Sequence, residues 1–436
     1  MNIVQLTPGA GGMYCGNCFR DNALVAELRR QGHVPLMVPL YLPMTLDEEN
    51  QGADTPIFFN GVNVYLEQVF PPFRHAPQWL HNLLASPVLL KFAAGRAAKT
   101  RAAEVGDLTL SMLRGEEGNQ ARELEQLIAW LRTQPKPDVV CLSNAMLVGM
   151  ARRVKRELGA AVVCTLQGED AFLDAMPEPV RREVWRTLAE RARDVDLFVA
   201  PSRYFGDLMV KRMALPAERW CVVPNGINLE GYHAAGVAPE PPALGFFARM
   251  CAEKGLDTLV DAFIEIRKRG RVPKLQLRIG GACGPGDTAF VNGLKQRLAA
   301  AGLANDAEFH PNLSRAGKLA FLRSLTVFSV PALYGEAFGL YVIEALASGV
   351  PVVQPRCAAF PEIIEATRGG VVCEPRNVAS LADAVEALVC EPARARALGE
   401  AGRLAVEKNF SVRAMADGMV AAFGEAVSRS RAAGAR

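Results

Sequence analysis

Short runs of Val, Ile and Leu alternate along the chain with longer segments of helical period. The runs fall at 2–6, 34–40, 138–142, 161–166, 196–200 and 219–223, and again at 243–248, 274–279, 307–309, 325–330, 350–353 and 370–373. Most are apolar at consecutive positions rather than at alternate ones, and polar or glycine turns bound them. A strand covered on both faces reads this way, so the pattern predicts parallel sheets sandwiched by helices. Between the two sets lies PNGINLEGYHAAGVAPEPPA, residues 224–243, rich in Gly and Pro and without a strong period. It is read as an interdomain linker. The expectation is an α/β protein of two Rossmann-like, doubly wound parallel-sheet domains facing a central cleft. Ligands of such sheets collect at the carboxyl ends of the strands.

One region breaks the alternation. Residues 71–134 contain no clear buried strand and include the basic stretch RHAPQWLHNLLASPVLLKFAAGRAAKTR. A basic amphipathic helix of this kind suits peripheral contact with the inner face of a membrane. An inserted helical lobe is the favoured reading, because Pro77 and Pro87 interrupt any long amphipathic face.

Length and composition narrow the function classes. The chain has 436 residues, enough for two ordinary cores. Half of it is apolar and 22% is charged, as in a globular enzyme, and the net charge of +3 gives no argument for a nucleic-acid partner. No apolar run reaches membrane-spanning length, and MNIVQLTPGAGG lacks the layout of a signal peptide. The expected location is the cytoplasm. Ten cysteines are scattered, and Cys141, Cys164, Cys221 and Cys373 sit inside apolar runs as small core residues. A reducing compartment suits that usage.

The densest chemistry is YGEAFGLYVIEALASGVPVV, residues 334–353, after the apolar run LTVFSVP. Glu336 lies in the turn before a helix and Glu344 inside it. Phe338, Gly339 and Leu340 expose backbone N–H groups at the helix start, which attracts phosphate or other polar ligands. Gly339 permits close backbone approach, and the two carboxylates suit sugar hydroxyls. Upstream, Arg249 and Lys254 flank the turn in LGFFARMCAEKGLDTLVDAF. Two cations at a strand's carboxyl end beside a helix start suit a diphosphate. Gly9, Gly11 and Gly12 follow the first strand, but the spacing is not G-x-G-x-x-G and no acid ends the second strand. NAD is therefore the poorer reading.

The first stretch resembles the retaining glycosyltransferases of the GT-B fold, family 4, group 1 type, whose hallmark is E-x-F-G-x-x-x-x-E. Glu336-Ala-Phe-Gly and Glu344 match it without a gap, and ALASGVPVV matches its continuation. The resemblance implies transfer of a sugar from a nucleoside-diphosphate-sugar to an acceptor hydroxyl on a glycan, lipid or small molecule. Anomeric configuration is retained, with no metal and no resident cofactor. It implies that Glu336 contacts the donor sugar and Glu344 the ribose, with Phe338, Gly339 and Leu340 at the donor's sugar or phosphates. Arg249 and Lys254 match the family's basic pair, although Ala248 stands where a glycine is usual; they would stabilise the leaving diphosphate. Gly11 and Gly12 match the glycine pair that approaches donor phosphate or acceptor. The layout implied is an acceptor-side domain at 1–226 carrying the insertion at about 71–134, a nucleotide-sugar domain at 227–410, and a helix at 411–436 returning to the first.

Some residues depart from that pattern. In CTLQGEDAF, Gln167 stands where many family members carry His. Gln167, Gly168 and Glu169 are candidates for the acceptor side. Glu169 and Asp170 equally suit favourable acids at a helix start. Cys15 and Cys18 form a C-x-x-C with no second ligand pair for zinc. Local packing is preferred, with a redox role open because a helix start lowers thiol pKa. Asp194 and Asp196 mimic a metal-binding D-x-D but begin a buried strand. The competing functions are a sugar-nucleotide epimerase or phosphorylase of the same fold, and a catalytically silent sugar-nucleotide-binding protein. No lysine context for pyridoxal phosphate is found for a phosphorylase, and the intact Glu336, Glu344, Arg249 and Lys254 argue against a silent protein.

Overall fold

In a computed structural model, the described residues are 1–9, 11, 15–70, 72–73, 76–77 and 105–434. The chain divides into two units, Met1–Pro224 with Met415–Arg436, and Asn225–Ala414. Most of the basic stretch expected as a helical lobe or a membrane contact lies outside the described residues. From its end, helices Gly106–Arg114 and Ala121–Leu131 are described, and both pack into the first unit through buried leucines.

The first unit is built on a six-stranded parallel sheet in the order β2-β1-β3-β4-β5-β6. Its strands are β1 Asn2–Pro8, β2 Val34–Leu40, β3 Val139–Leu142, β4 Ala161–Thr165, β5 Leu197–Ala200 and β6 Trp220–Val222. β3, β4 and β5 are buried at every position. That is the consequence of helices on both faces, and it explains why these strands read as unbroken apolar runs. Cys141 and Cys164 lie in this core, whereas Cys221 on the edge strand is only half-buried. Edge strands have one neighbour and are less covered.

The second unit has a six-stranded parallel sheet in the order β12-β11-β10-β7-β8-β9. Its strands are β7 Ala243–Phe247, β8 Gln276–Gly281, β9 Ala307–Pro311, β10 Val327–Phe328, β11 Val352–Pro355 and β12 Gly370–Cys373. Counted from β7, this is the 3-2-1-4-5-6 order of a doubly wound dinucleotide fold. The winding reverses between β7 and β10, so the loops leaving those strands diverge around a crevice. In the first sheet the reversal falls between β1 and β3. Phe246, Phe263, Phe328 and Phe360 are fully buried around the second sheet.

The chain crosses between units at residues 224–225 and 414–415. Ile227 pairs with Ser411 in an isolated parallel bridge within the second unit. Helix Val412–Gly434 then runs on, and its first-unit part buries Met415, Ala416, Met419, Ala422, Phe423 and Ala426. This three-and-four spacing is one apolar stripe of a helix. Gly418 lies so close to Val223 that a Cβ there would approach its side chain to 2.8 Å. Among the described residues, no helix is long and apolar enough to cross a membrane.

Candidate active site

The site in the second unit starts from β7. After Phe247 the chain keeps loosely to β8 through Ala248 N–H to Gly280 O (3.3 Å) and Met250 N–H to Ala282 O (2.8 Å). Met250 is buried and Arg249 points outward. A 3-10 turn, Ala252–Lys254, then ends at Gly255, whose φ is +71°. A Cβ on Gly255 would stand 1.9 Å from the carbonyl oxygen of Pro331, in the loop after β10. Glycine is needed there for both reasons. Leu333 N–H also donates to Glu253 O at 2.9 Å. The two loops that leave the point of reversal are thereby pressed together, and Lys254 lands beside Glu336.

Lys254 Nζ lies 2.5 Å from Glu336 Oε2 and also bonds Tyr334 Oη. The Tyr334 and Tyr341 hydroxyls donate to the same Oε2 at 3.0 and 2.8 Å. One ammonium and two phenols thus converge on one carboxylate oxygen. The ammonium also lies 4.9 Å from the Tyr334 ring centre and 5.2 Å from that of Tyr341, within the range where a cation is drawn to an aromatic face. Burial, with the Glu336 charge next, pushes both phenols well above their ordinary value, so both stay donors.

Helix Leu340–Ala347 begins immediately beyond. Its N-cap, Gly339, is left-handed at φ +90° and supplies no side-chain cap. Phe338 is buried against Phe410, with ring centres 6.0 Å apart. The residue that anchors this helix start thus faces the core, while the first backbone N–H groups keep their intrinsic anion affinity. In the next turn Glu344 Oε1 accepts from Lys318 Nζ (2.8 Å) and Tyr232 Oη (3.0 Å). Lys318 belongs to helix Arg315–Arg323.

Arg249 has a partner of its own. Its Nε and guanidinium NH2 bond Asp287, the closest at 2.9 Å, and its side chain is 63% exposed. Asp287 lies in the turn after β8 and also accepts from Gly284 N–H at 2.9 Å. Lys254 is therefore joined to Glu336 and Arg249 is anchored on the β8 side; among the described residues, no bond links Arg249 to the helix start. Sequence reasoning missed Tyr334, Tyr341, Asp287, Lys318 and Tyr232. Asp287 reads in the sequence only as part of a helix cap. The others belong to no spacing pattern, and Tyr334, two residues before Glu336, was the available signal.

In the first unit, Gly11 has φ +62° and donates to Pro43 O at 3.0 Å, while its carbonyl accepts from Thr45 Oγ1 at 2.5 Å. Gly12 lies outside the described residues. After β4, Gln167 and Gly168 are half-buried and Gly168 is left-handed at φ +101°. Glu169 is buried, and its carboxylate accepts three backbone N–H groups, from Ala145 (2.7 Å), Gln167 (2.9 Å) and Gly168 (3.0 Å). Its carboxylate is thus taken up by backbone N–H groups at the start of helix Glu169–Asp174, and burial raises its pKa. Asp196 is likewise structural, accepting from Val162 N–H and pairing with Lys155 at 2.6 Å.

Two family matches fall on this framework. Residues 233–405 match the family described as Glycosyl transferases group 1, and residues 92–230 match Glycosyltransferase Family 4. The chain belongs to the group 1, family 4 glycosyltransferases. The group 1 match contains the whole Lys254–Glu336–Glu344 constellation. Among similar curated proteins of this family type, the D-inositol 3-phosphate glycosyltransferase of Nocardia farcinica is 29% identical over 234 residues, covering 51% of this chain and 51% of its own. The lipopolysaccharide core biosynthesis mannosyltransferase of Rhizobium meliloti is 31% identical over 199 residues, covering 44% of this chain and 54% of its own. The chain spans about half the length of these curated relatives. The Anabaena protein HepE, solved with UDP, superposes with a TM-score of 0.68 at 16% identity, covering 97% of this chain and 100% of that one. The two parallel sheets are those of the GT-B glycosyltransferase fold.

Proposed function

We propose that the protein transfers a sugar from a nucleoside-diphosphate-sugar to an acceptor hydroxyl, with retention at the anomeric carbon and without a metal. The observation that carries this reading is the meeting of Lys254 with Glu336 Oε2 beside an uncapped helix start, at the sheet's point of reversal. Without donor, the ammonium and carboxylate neutralise each other. With donor, Lys254 turns to a phosphate oxygen and the N–H groups of the helix start take up the rest of the negative charge. Such fixed positive ends aimed at a departing diphosphate do the work a divalent cation does elsewhere.

Glu336 then serves the sugar. Every hydrogen bond described for its side chain falls on Oε2, so Oε1 is the oxygen that accepts a donor-sugar hydroxyl. Glu344, steadied by Lys318 and Tyr232, accepts from the ribose hydroxyls. Arg249, set by Asp287, adds charge at the outer side of the diphosphate. The bond from the anomeric carbon to phosphate breaks, the bond to the acceptor oxygen forms, and the hydroxyl proton leaves with the diphosphate. Acceptor recognition is assigned to Gln167, Gly168 and Gly11 of the first unit. HepE's complex with UDP supports a nucleoside diphosphate as the donor's leaving group.

The test is a thermal-shift screen with UDP-, GDP- and ADP-sugars, followed by product analysis with acceptor panels. Transfer of the sugar to an acceptor, with its anomeric configuration kept, is expected. Interconversion of the sugar nucleotide without acceptor would make the protein an epimerase, and binding without turnover would make it a silent binder.

A further inference from the structure

We propose that Cys15 and Cys18 form a dithiol–disulfide pair that exchanges with small-molecule disulfides. Cys15 is the N-cap of helix Gly16–Arg30, with extended φ and ψ of −122° and 116° and no side-chain cap. Cys18 follows at the third helical position, which an N-cap side chain reaches. Cys15 is half-buried and Cys18 is fully buried. An incoming disulfide therefore meets Cys15, and Cys18 meets only what Cys15 has captured.

The thiols are prepared for that order of events. The neighbouring Cys18 thiol, with the N–H groups of the first turn, outweighs burial and brings the Cys15 thiol down to about 7. A thiol that titrates near neutral pH carries a large thiolate fraction and still attacks well. The buried Cys141, Cys164 and Cys373 are all pushed up by burial, as are the half-buried Cys221, Cys251 and Cys357. Cys390 is exposed but has no such partner thiol among the described residues.

The exchange balances in two steps. The Cys15 thiolate attacks one sulfur of the small disulfide, that S–S bond breaks, and the first small thiolate leaves and takes a proton. The Cys18 thiol then loses its proton, attacks the Cys15 sulfur and expels the second small thiol. Two protein thiols are oxidised and one disulfide is reduced to two thiols. The Cys18 Sγ also lies 3.1 Å from Pro8 O, as donor to the last residue of β1. Oxidation removes that proton, so it also releases the tie between the helix and the strand that leads to Gly9.

The experiment treats the full-length reduced protein with oxidised glutathione, then blocks remaining thiols with iodoacetamide and maps the peptides. The expected result is loss of alkylation at Cys15 and Cys18 together, in a peptide lighter by two hydrogens, restored by dithiothreitol, with Cys390 still alkylated. The rate of Cys15 alkylation should be half-maximal near pH 7, and Cys18→Ala should move that midpoint toward the ordinary thiol value while Cys18→Ser holds it low. Two cysteines that stay alkylatable after the treatment would overturn the proposal. So would glutathione left permanently on Cys15, or a Cys15 midpoint that Cys18→Ala does not move.

Discussion

Lys254 and Glu336, 82 residues apart in the chain, meet at 2.5 Å between Nζ and Oε2. The contact exists because two loops leave neighbouring strands in opposite directions of winding and Gly255 lets them touch. It places a cation, a carboxylate and a helix start within one small region of the second unit.

The tyrosines give the first prediction. Tyr341 Oη donates to Glu336 Oε2 at 2.8 Å, and a hydrogen bond to a charged group contributes about 1.5–3 kcal/mol. Tyr341→Phe should therefore lower kcat/KM by about 10- to 100-fold at 1.4 kcal/mol per tenfold, because Oε2 loses one of the donors that fix the carboxylate. Steady-state kinetics beside an unchanged circular dichroism spectrum checks it. Wild-type kinetics in Tyr341→Phe would mean that Lys254 and Tyr334 alone set Glu336.

Gly255 tests how the site is assembled. Ala there must adopt φ +71° and place its Cβ 1.9 Å from Pro331 O, whereas Ala at Gly270 faces φ +72° with nothing within 4 Å. Left-handed backbone alone costs about 1–2 kcal/mol. Gly270→Ala should lose that much, and Gly255→Ala more than about 3 kcal/mol, since a backbone atom cannot step aside cheaply. Urea unfolding of both variants compares them. Equal losses would contradict the close packing of the two loops.

Glu169 supplies a pH dependence. Burial raises its pKa in the native state. A raised acid contributes most below its unfolded value, and that contribution is lost as pH rises through the native value. The stability of wild type relative to Glu169→Gln should thus fall as pH climbs from the ordinary glutamate range through Glu169's raised value. Glu169→Gln should also be less stable at every pH, because its amide keeps one accepting oxygen, so either the N–H of Ala145 or those of Gln167 and Gly168 face an NH2 that cannot accept. Chemical denaturation across a pH series measures both; a difference independent of pH would mean that Glu169 is not taken out of water.

Arg249 and Lys254 should separate functionally. Arg249 is largely exposed and tied to Asp287 rather than to Glu336. Arg249→Ala should leave the unfolding free energy within the range of ordinary surface substitutions, about 0.5 kcal/mol, and should raise KM for donor more than it lowers kcat. Lys254→Ala should lower kcat sharply. A larger kcat loss in Arg249→Ala than in Lys254→Ala would reverse the roles of the two cations.

The strands were legible because burial on both faces leaves unbroken Val, Ile and Leu runs, as at 139–142 and 161–165. β10 shows the limit: the apolar run 325–330 is paired only at Val327 and Phe328. Strand order was not legible, since nothing local to a strand says which neighbour it will take. Glu336 and Glu344 could be named from their motif. Tyr341 could not, because a tyrosine inside a helix reads as packing, and Lys318 and Tyr232 reach Glu344 from elements outside the motif. Arg249 and Lys254 share one turn in the sequence, but the outward step at Arg249 and the inward step at Met250 send the two cations to different partners.

Calorimetric titration of wild type and Lys254→Ala with UDP, GDP and ADP in metal-free buffer is the most direct test. One of the three should bind wild type with one site per chain, and the alanine variant should bind it at least tenfold more weakly while unfolding at the wild-type temperature. No binding of any of the three to wild type, or equal affinity in the two proteins, would contradict the claim that Lys254 beside Glu336 receives the diphosphate.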